Sequence, residues 1–83
     1  MTTRYYFGKD AAEALIGTRV RSLVEFRGVR KGTTGKVVRV DPRPDGDHAY
    51  TVGVEWDLPY SGKPPVDWFS RDEYYAYLEE VLP

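Results

Sequence analysis

Apolar and polar positions alternate along this chain in short runs, and prolines or glycines separate the runs. The clearest run is 49–56, where Tyr50, Val52, Val54 and Trp56 share one face and Thr51, Gly53 and Glu55 share the other. A period of two is the mark of a half-buried strand, and Gly53 on the second face points to a bend or a close backbone approach. Segment 18–26 reads as an earlier strand, with Val20, Val24 and Phe26 opposed to Arg19, Arg21 and Glu25; Ser22 and Leu23 each interrupt a face. Segment 35–40 is a third, its buried face open between Val37 and the Val38/Val40 pair. A fourth, 66–69, follows the Pro/Gly-rich loop 57–65, and the prolines and Asp-Gly step of 41–48 read as a turn.

Two segments depart from this rhythm. Asp10 followed by Glu13 fits a capping box, and Gly17 fits a left-handed stop, so a helix of at most two turns is expected there. It would pack Leu15, and with it Ile16, onto the domain. Ser70 and Glu73 form a second capping box that starts a helical turn at Arg71. Beyond it the chain has two readings. Tyr74, Tyr77, Leu78, Val81 and Leu82 fit one helix face, whereas a single turn at 71–75 followed by a strand at 77–81 completes a sheet. The second suits the architecture better.

Four or five short strands in so small a chain leave no interior for a two-layer sandwich, but they can wrap into a small barrel, which removes exposed edges. The expected fold is therefore mainly β: a barrel of about five strands over 17–83, with residues 1–16 as an N-terminal extension carrying the short helix.

Composition narrows the chemistry. Eighty-three residues make one domain with a small core. The absence of cysteine removes disulfides, thiolate metal sites and thiol redox chemistry. No apolar run approaches the roughly 20 residues of a membrane span, and the first residues lack a signal-peptide stretch; a cytoplasmic location is the expectation. The net charge of −1 hides an asymmetry: residues 19–43 hold eight basic groups against two acids, a net +6, and residues 44–83 hold two against nine, a net −7. Such a split marks either a basic binding face or adjacent strands whose charges pair on folding.

Gly-Thr-Thr-Gly-Lys at 32–36 invites a phosphate-loop reading, which fails on three counts. The glycine spacing is two residues short, Val37 stands where a hydroxyl is needed, and a strand rather than a helix follows. A turn into a strand is the better reading. His48, the sole histidine, lies in a turn with no positioned partner or nucleophile. Asp41, Asp45 and Asp47 around Gly46 do not follow the order of a calcium loop. No catalytic residue, metal site, cofactor or small-molecule substrate is expected.

The stretch "GTRVRSLVEFRGVRKGTTGKVVRV", continued by "YTVGVEW" and closed by "WFSRDEYYAYLEEV", resembles small SH3-like barrels over about residues 17–82. Their pattern runs from G-x-x-V through G-T-x-G-x-V and Y-x-V-x-W/F to a helical turn and L-E-x-V. The likeness is nearest to the electron-transport accessory type, found in the small stromal subunit of photosystem I, the variable chain of ferredoxin–thioredoxin reductase and the nitrile hydratase β subunit. Nucleic-acid-binding KOW segments and CAP-Gly domains share the G-x-x-G-x-V element, but the CAP-Gly signature Gly-Lys-Asn-Asp-Gly is absent here. The resemblance implies a fold; function has to be argued from the surface.

Two surfaces stand out. Trp56, Tyr60, Trp68 and Phe69 lie at or beside the proline-rich loop. Trp56 and Phe69 belong with the core valines, whereas Tyr60 and Trp68 are candidates for contact with a protein partner, since such side chains offer rigid area with a polar tip. The run Tyr74, Tyr75 and Tyr77 is expected to pack against the end of the barrel. The second surface is basic: Arg19, Arg21, Lys36 and Arg39 project from two strands whose loop adds Arg27, Arg30 and Lys31. A pI near 5.8 is far from that of a dedicated nucleic-acid domain, and a basic face on a near-neutral domain suits steering toward an acidic protein. The expected function is thus a non-enzymatic protein-interaction or accessory-subunit module using Tyr60, Trp68, Arg19, Arg21, Lys36 and Arg39. The alternative is a KOW-like RNA- or DNA-binding domain using the same basic face.

Overall fold

In the computed structural model, which describes residues 5–42 and 49–81, a short helix α1 (Lys9–Ala14) precedes three strands, β1 (Arg19–Ser22), β2 (Thr34–Pro42) and β3 (Tyr50–Trp56). A short strand β4 (Val66–Phe69), a helix α2 (Arg71–Tyr77) and a last strand β5 (Leu78–Glu80) complete the chain. The five strands form one antiparallel sheet in the order β4-β3-β2-β1-β5. The fold is mainly β, as the alternation implies. The sheet is not closed: among the described residues β4 pairs only with β3 and β5 only with β1, so two edges remain. The turn at 43–48, with His48, Asp45 and Asp47, lies outside the described residues.

The ambiguity of the second strand has a local cause. Register runs Val37 opposite Val54, then Arg39 opposite Gly53 and Val40 opposite Val52, so one extra residue is accommodated between Val37 and Arg39. Such a bulge reverses which side chains face inward. Gly35 and Val37 are buried before it, and Val40 packs on the core after it. A strict period of two could not place both valines on one face.

The core gathers Val20, Val37, Val52, Val54, Trp56, Phe69 and Leu78 from the strands and Tyr74 from α2. Phe7 and Ala12 join it from the segment before β1 and Val29 from the hairpin after β1, with Phe7 bridging to Tyr50 through both backbone bonds at 3.0 Å. Trp56 and Phe69 are core residues, as their alternation implies. Leu15 packs against the cluster, but Ile16 is exposed.

The two helices start differently. Ser70 and Glu73 make the full reciprocal capping box ahead of α2, and the strand that follows is the turn-plus-strand ending. Around α1 the N-cap is Gly8, with no side-chain cap bond, and Asp10 lies inside the first turn. Asp10 there favours the helix through its charge near the positive end rather than as a cap. Gly17 does adopt a left-handed conformation after the helix, φ 95°.

The first strand stops at Ser22 instead of running to Phe26. The buried Ser22 Oγ donates to the Val24 carbonyl at 2.5 Å, a local bond that competes with the ladder and turns the chain. Phe26 and Val29 then close a tight hairpin, with Arg27 and Gly28 both at positive φ. At 32–36 no helix forms; Gly32 turns the chain at φ 91° and Gly35 enters β2.

Gly35 is needed for space. A Cβ there would meet the Glu55 carbonyl oxygen at 2.8 Å and the Trp56 ring at 2.9 Å. Gly35→Ala is expected to destabilise the domain by about 1–3 kcal/mol, the usual cost of overpacking. Chemical denaturation reads this as a lower midpoint at unchanged slope; an unchanged midpoint refutes the close approach.

Candidate binding groove and charged face

The tip of β1 and the hairpin after it face β4 and α2 across the gap left by the open sheet. The groove between them has a volume of about 330 Å³. Val24, Phe26 and Arg27 line one wall, Val66 to Phe69 of β4 the other, and Glu73 and Tyr77 the end. Two of its lining rings pack edge-on over the buried indole beneath: Phe26 meets Phe69 at 5.9 Å and Trp56 at 6.0 Å, and Trp56 meets Phe69 at 6.4 Å. The Trp56 indole Nε1 donates to Asp67 Oδ2 at 2.8 Å, which satisfies a buried donor and turns the Asp67 carboxylate toward the groove.

Trp68 leaves β4 on the opposite face. Its ring lies over Gly53, where a Cβ would stand 3.0 Å from the ring, and it is 45 % exposed. Gly53 thus marks the close approach that its place in the alternation suggests. Tyr60 is 58 % exposed in the loop and does not line the groove. Two groove residues were missed in the sequence. Phe26 reads there as the end of a core strand, and Tyr77 as packing against the barrel end. Tyr74 alone of its tyrosine run is buried, while Tyr75 and Tyr77 are exposed, because a two-turn helix offers the core one side only. Tyr77 standing four residues after Glu73 was the available signal.

The Tyr74 hydroxyl donates to Glu80 Oε2 at 3.0 Å. Burial, and then this carboxylate, push its ionisation well above the ordinary tyrosine value.

The basic strands are largely matched by acids. Arg19 donates to Asp57 Oδ2 at 2.5 Å, and Arg21 donates to Glu79 Oε2 at 2.8 Å, on the adjacent strand β5. Lys36 sits opposite Glu55 in the β2–β3 register. Lys36 and Arg39 are exposed, and among the described residues neither is in an ion pair. Four basic candidates therefore divide into two held in ion pairs and two presented to solvent. Among the described residues no three His, Cys, Asp or Glu side chains cluster to hold a metal. No helix in them is long and apolar enough to cross a membrane.

Asp57 is the hub of the charged face. The Thr34 hydroxyl at 2.7 Å, and then the Arg19 guanidinium, hold its carboxyl below the ordinary value of 3.8. Because the folded state lowers this group, its stabilisation is present at neutral pH and is lost as pH falls through the folded value. Asp57→Asn is expected to flatten the acid limb of the stability–pH profile. At neutral pH it should cost under about 1 kcal/mol, since both partners are half exposed. Denaturation at neutral and successively acidic pH measures this; an unaltered acid limb removes Asp57 from the account. Searches against family models, curated proteins and solved structures return no match for this chain.

Proposed function

We propose that this chain is a non-enzymatic SH3-like barrel module that binds another protein, as an accessory subunit of a larger assembly. The observation that carries this reading is the aromatic-lined groove beside β4, walled by Phe26, Phe69 and Tyr77, together with the exposed Trp68 ring on the outer face of the same strand. Aromatic side chains partly open to water provide contact area at low entropic cost, which is what binding surfaces use. The groove offers area and two carboxylates rather than a nucleophile with a base. The helical turn between β4 and β5 supports the barrel resemblance. Tyr60 extends the surface beyond the groove, and Lys36 and Arg39 remain on the sheet's outer face for an acidic region of the partner. Arg19 and Arg21 contribute there through the order their ion pairs impose.

The competing reading, a KOW-like nucleic-acid binder, depends on the same cations. Two of its four principal strand groups are matched by carboxylates, which lowers the number of phosphates the face can neutralise.

The test uses the tagged chain in extracts of its own source. Tyr60→Ala and Trp68→Ala together should leave the amide spectrum of a folded domain and abolish co-purification of a specific partner. Retention of the partner overturns the reading. Binding to duplex or single-stranded probes at low salt, with affinity falling steeply as log salt rises, replaces it with the nucleic-acid alternative.

A further inference from the structure

The groove runs along a strand edge whose peptide groups are unused. Trp56 N–H donates to the Pro65 carbonyl at 3.0 Å, and the register continues through Val54 with Asp67 and Val52 with Phe69. Antiparallel pairs alternate between bonded and non-bonded. The bonded pairs are therefore those of Pro65, Asp67 and Phe69, and the N–H and C=O groups of Val66 and Trp68 point away from β3. Among the described residues none of these four groups bonds to backbone outside the β3–β4 ladder, from which the register turns them away. The other edge is different: β5 has three residues, and Glu79 and Glu80 are exposed on it. Shortness and charge protect an edge.

We propose that the β4 edge binds an extended segment of the partner by strand addition, with a lysine or arginine of that segment opposite Asp67. This rests on the protein-binding reading and specifies its mode. Four outward groups supply backbone bonds, and alternate side chains of the incoming strand supply specificity. Its residues beside Val66 and Trp68 would lie on the outer face. The residue between them would project into the groove, among Asp67, Phe26, Tyr77 and Glu73. That is a site for a long cationic side chain, whose stem can lie along the rings while its head meets the carboxylate. Among the described residues Arg27 is the one cation lining the groove, where Asp67 faces it and Glu73 is engaged in capping α2.

Charge also decides against a second copy as the occupant. The two-fold pairing that uses all four groups sets Val66 of one copy beside Trp68 of the other, and so places Asp67 opposite Asp67. Like charges directly opposite destabilise a strand pair. Shifting the register toward Ser70 is no remedy, because the Ser70 N–H already donates to Glu73 Oε1 and its carbonyl accepts from Tyr74. A basic strand meets no such penalty.

The probes are three blocked peptides of alternating threonine and valine, titrated into the full chain and followed by amide NMR. One carries a central lysine, one a central glutamate, and one the lysine with N-methyl groups on the two residues flanking it. The lysine peptide should shift the Val66 and Trp68 amides most. The glutamate and the N-methylated peptides should each bind at least tenfold more weakly. Asp67→Asn, which keeps an acceptor for the Trp56 indole, should erase the preference for lysine; the comparison on the unaltered chain stands even where this variant fails to fold. Equal affinity for lysine and glutamate peptides overturns the proposal. So does the absence of binding by any peptide together with dimerisation of Asp67→Asn, which would make Asp67 a guard against self-pairing. If Trp68→Ala and Tyr60→Ala abolish partner capture while N-methylation has no effect, strand addition falls and the protein-binding reading stands.

Discussion

Burying the Trp56 indole imposes a demand on every element around it. The ring needs space, which Gly35 provides on the neighbouring strand by having no side chain. It needs apolar neighbours, which Phe26 and Phe69 supply edge-on from the hairpin and from β4. Its N–H needs an acceptor, and Asp67 is the one within reach. Meeting all three fixes the hairpin, β2 and β4 relative to one another. The walls of the groove are thus consequences of packing one large amphipathic side chain in a small core.

The same demand accounts for an acid on the inner side of an edge strand. A carboxylate there is costly without partners, and the indole bond offsets part of that cost. The residual charge faces the open gap between β4 and the hairpin. Packing, edge chemistry and charge are therefore joined at one residue, since Asp67 serves the core through one oxygen and the surface through its charge.

The outer face follows a different logic. Its charges pair in two ways: register sets Arg21 beside Glu79 of the adjacent strand β5, and Arg19 reaches across β2 to Asp57, the residue after β3. Exposed pairs of this kind add little stability, but they remove two cations from the available surface. What remains available, Lys36 and Arg39, is a smaller patch than the charge asymmetry of the sequence suggests.

Alternation carried the strand at 49–56, the Pro/Gly loop at 57–65 marked the strand at 66–69, and the capping box at Ser70 carried the start of α2, because each depends on residues near in sequence. Gly53 and Gly32 were legible for the same reason: a close approach on one face and a turn at positive φ are local demands. Other features depend on distant residues. The bulge that puts Val37 and Val40 on one face is set by pairing with β3, and the pairing of Arg19 and Arg21 by acids remote in the chain. Only the tertiary structure left the sheet open, brought Phe26 and Tyr77 to one groove beside β4, and left Tyr60 outside its lining. Local sequence sets which faces are apolar, whereas a groove arises where faces from distant segments fail to cover one another.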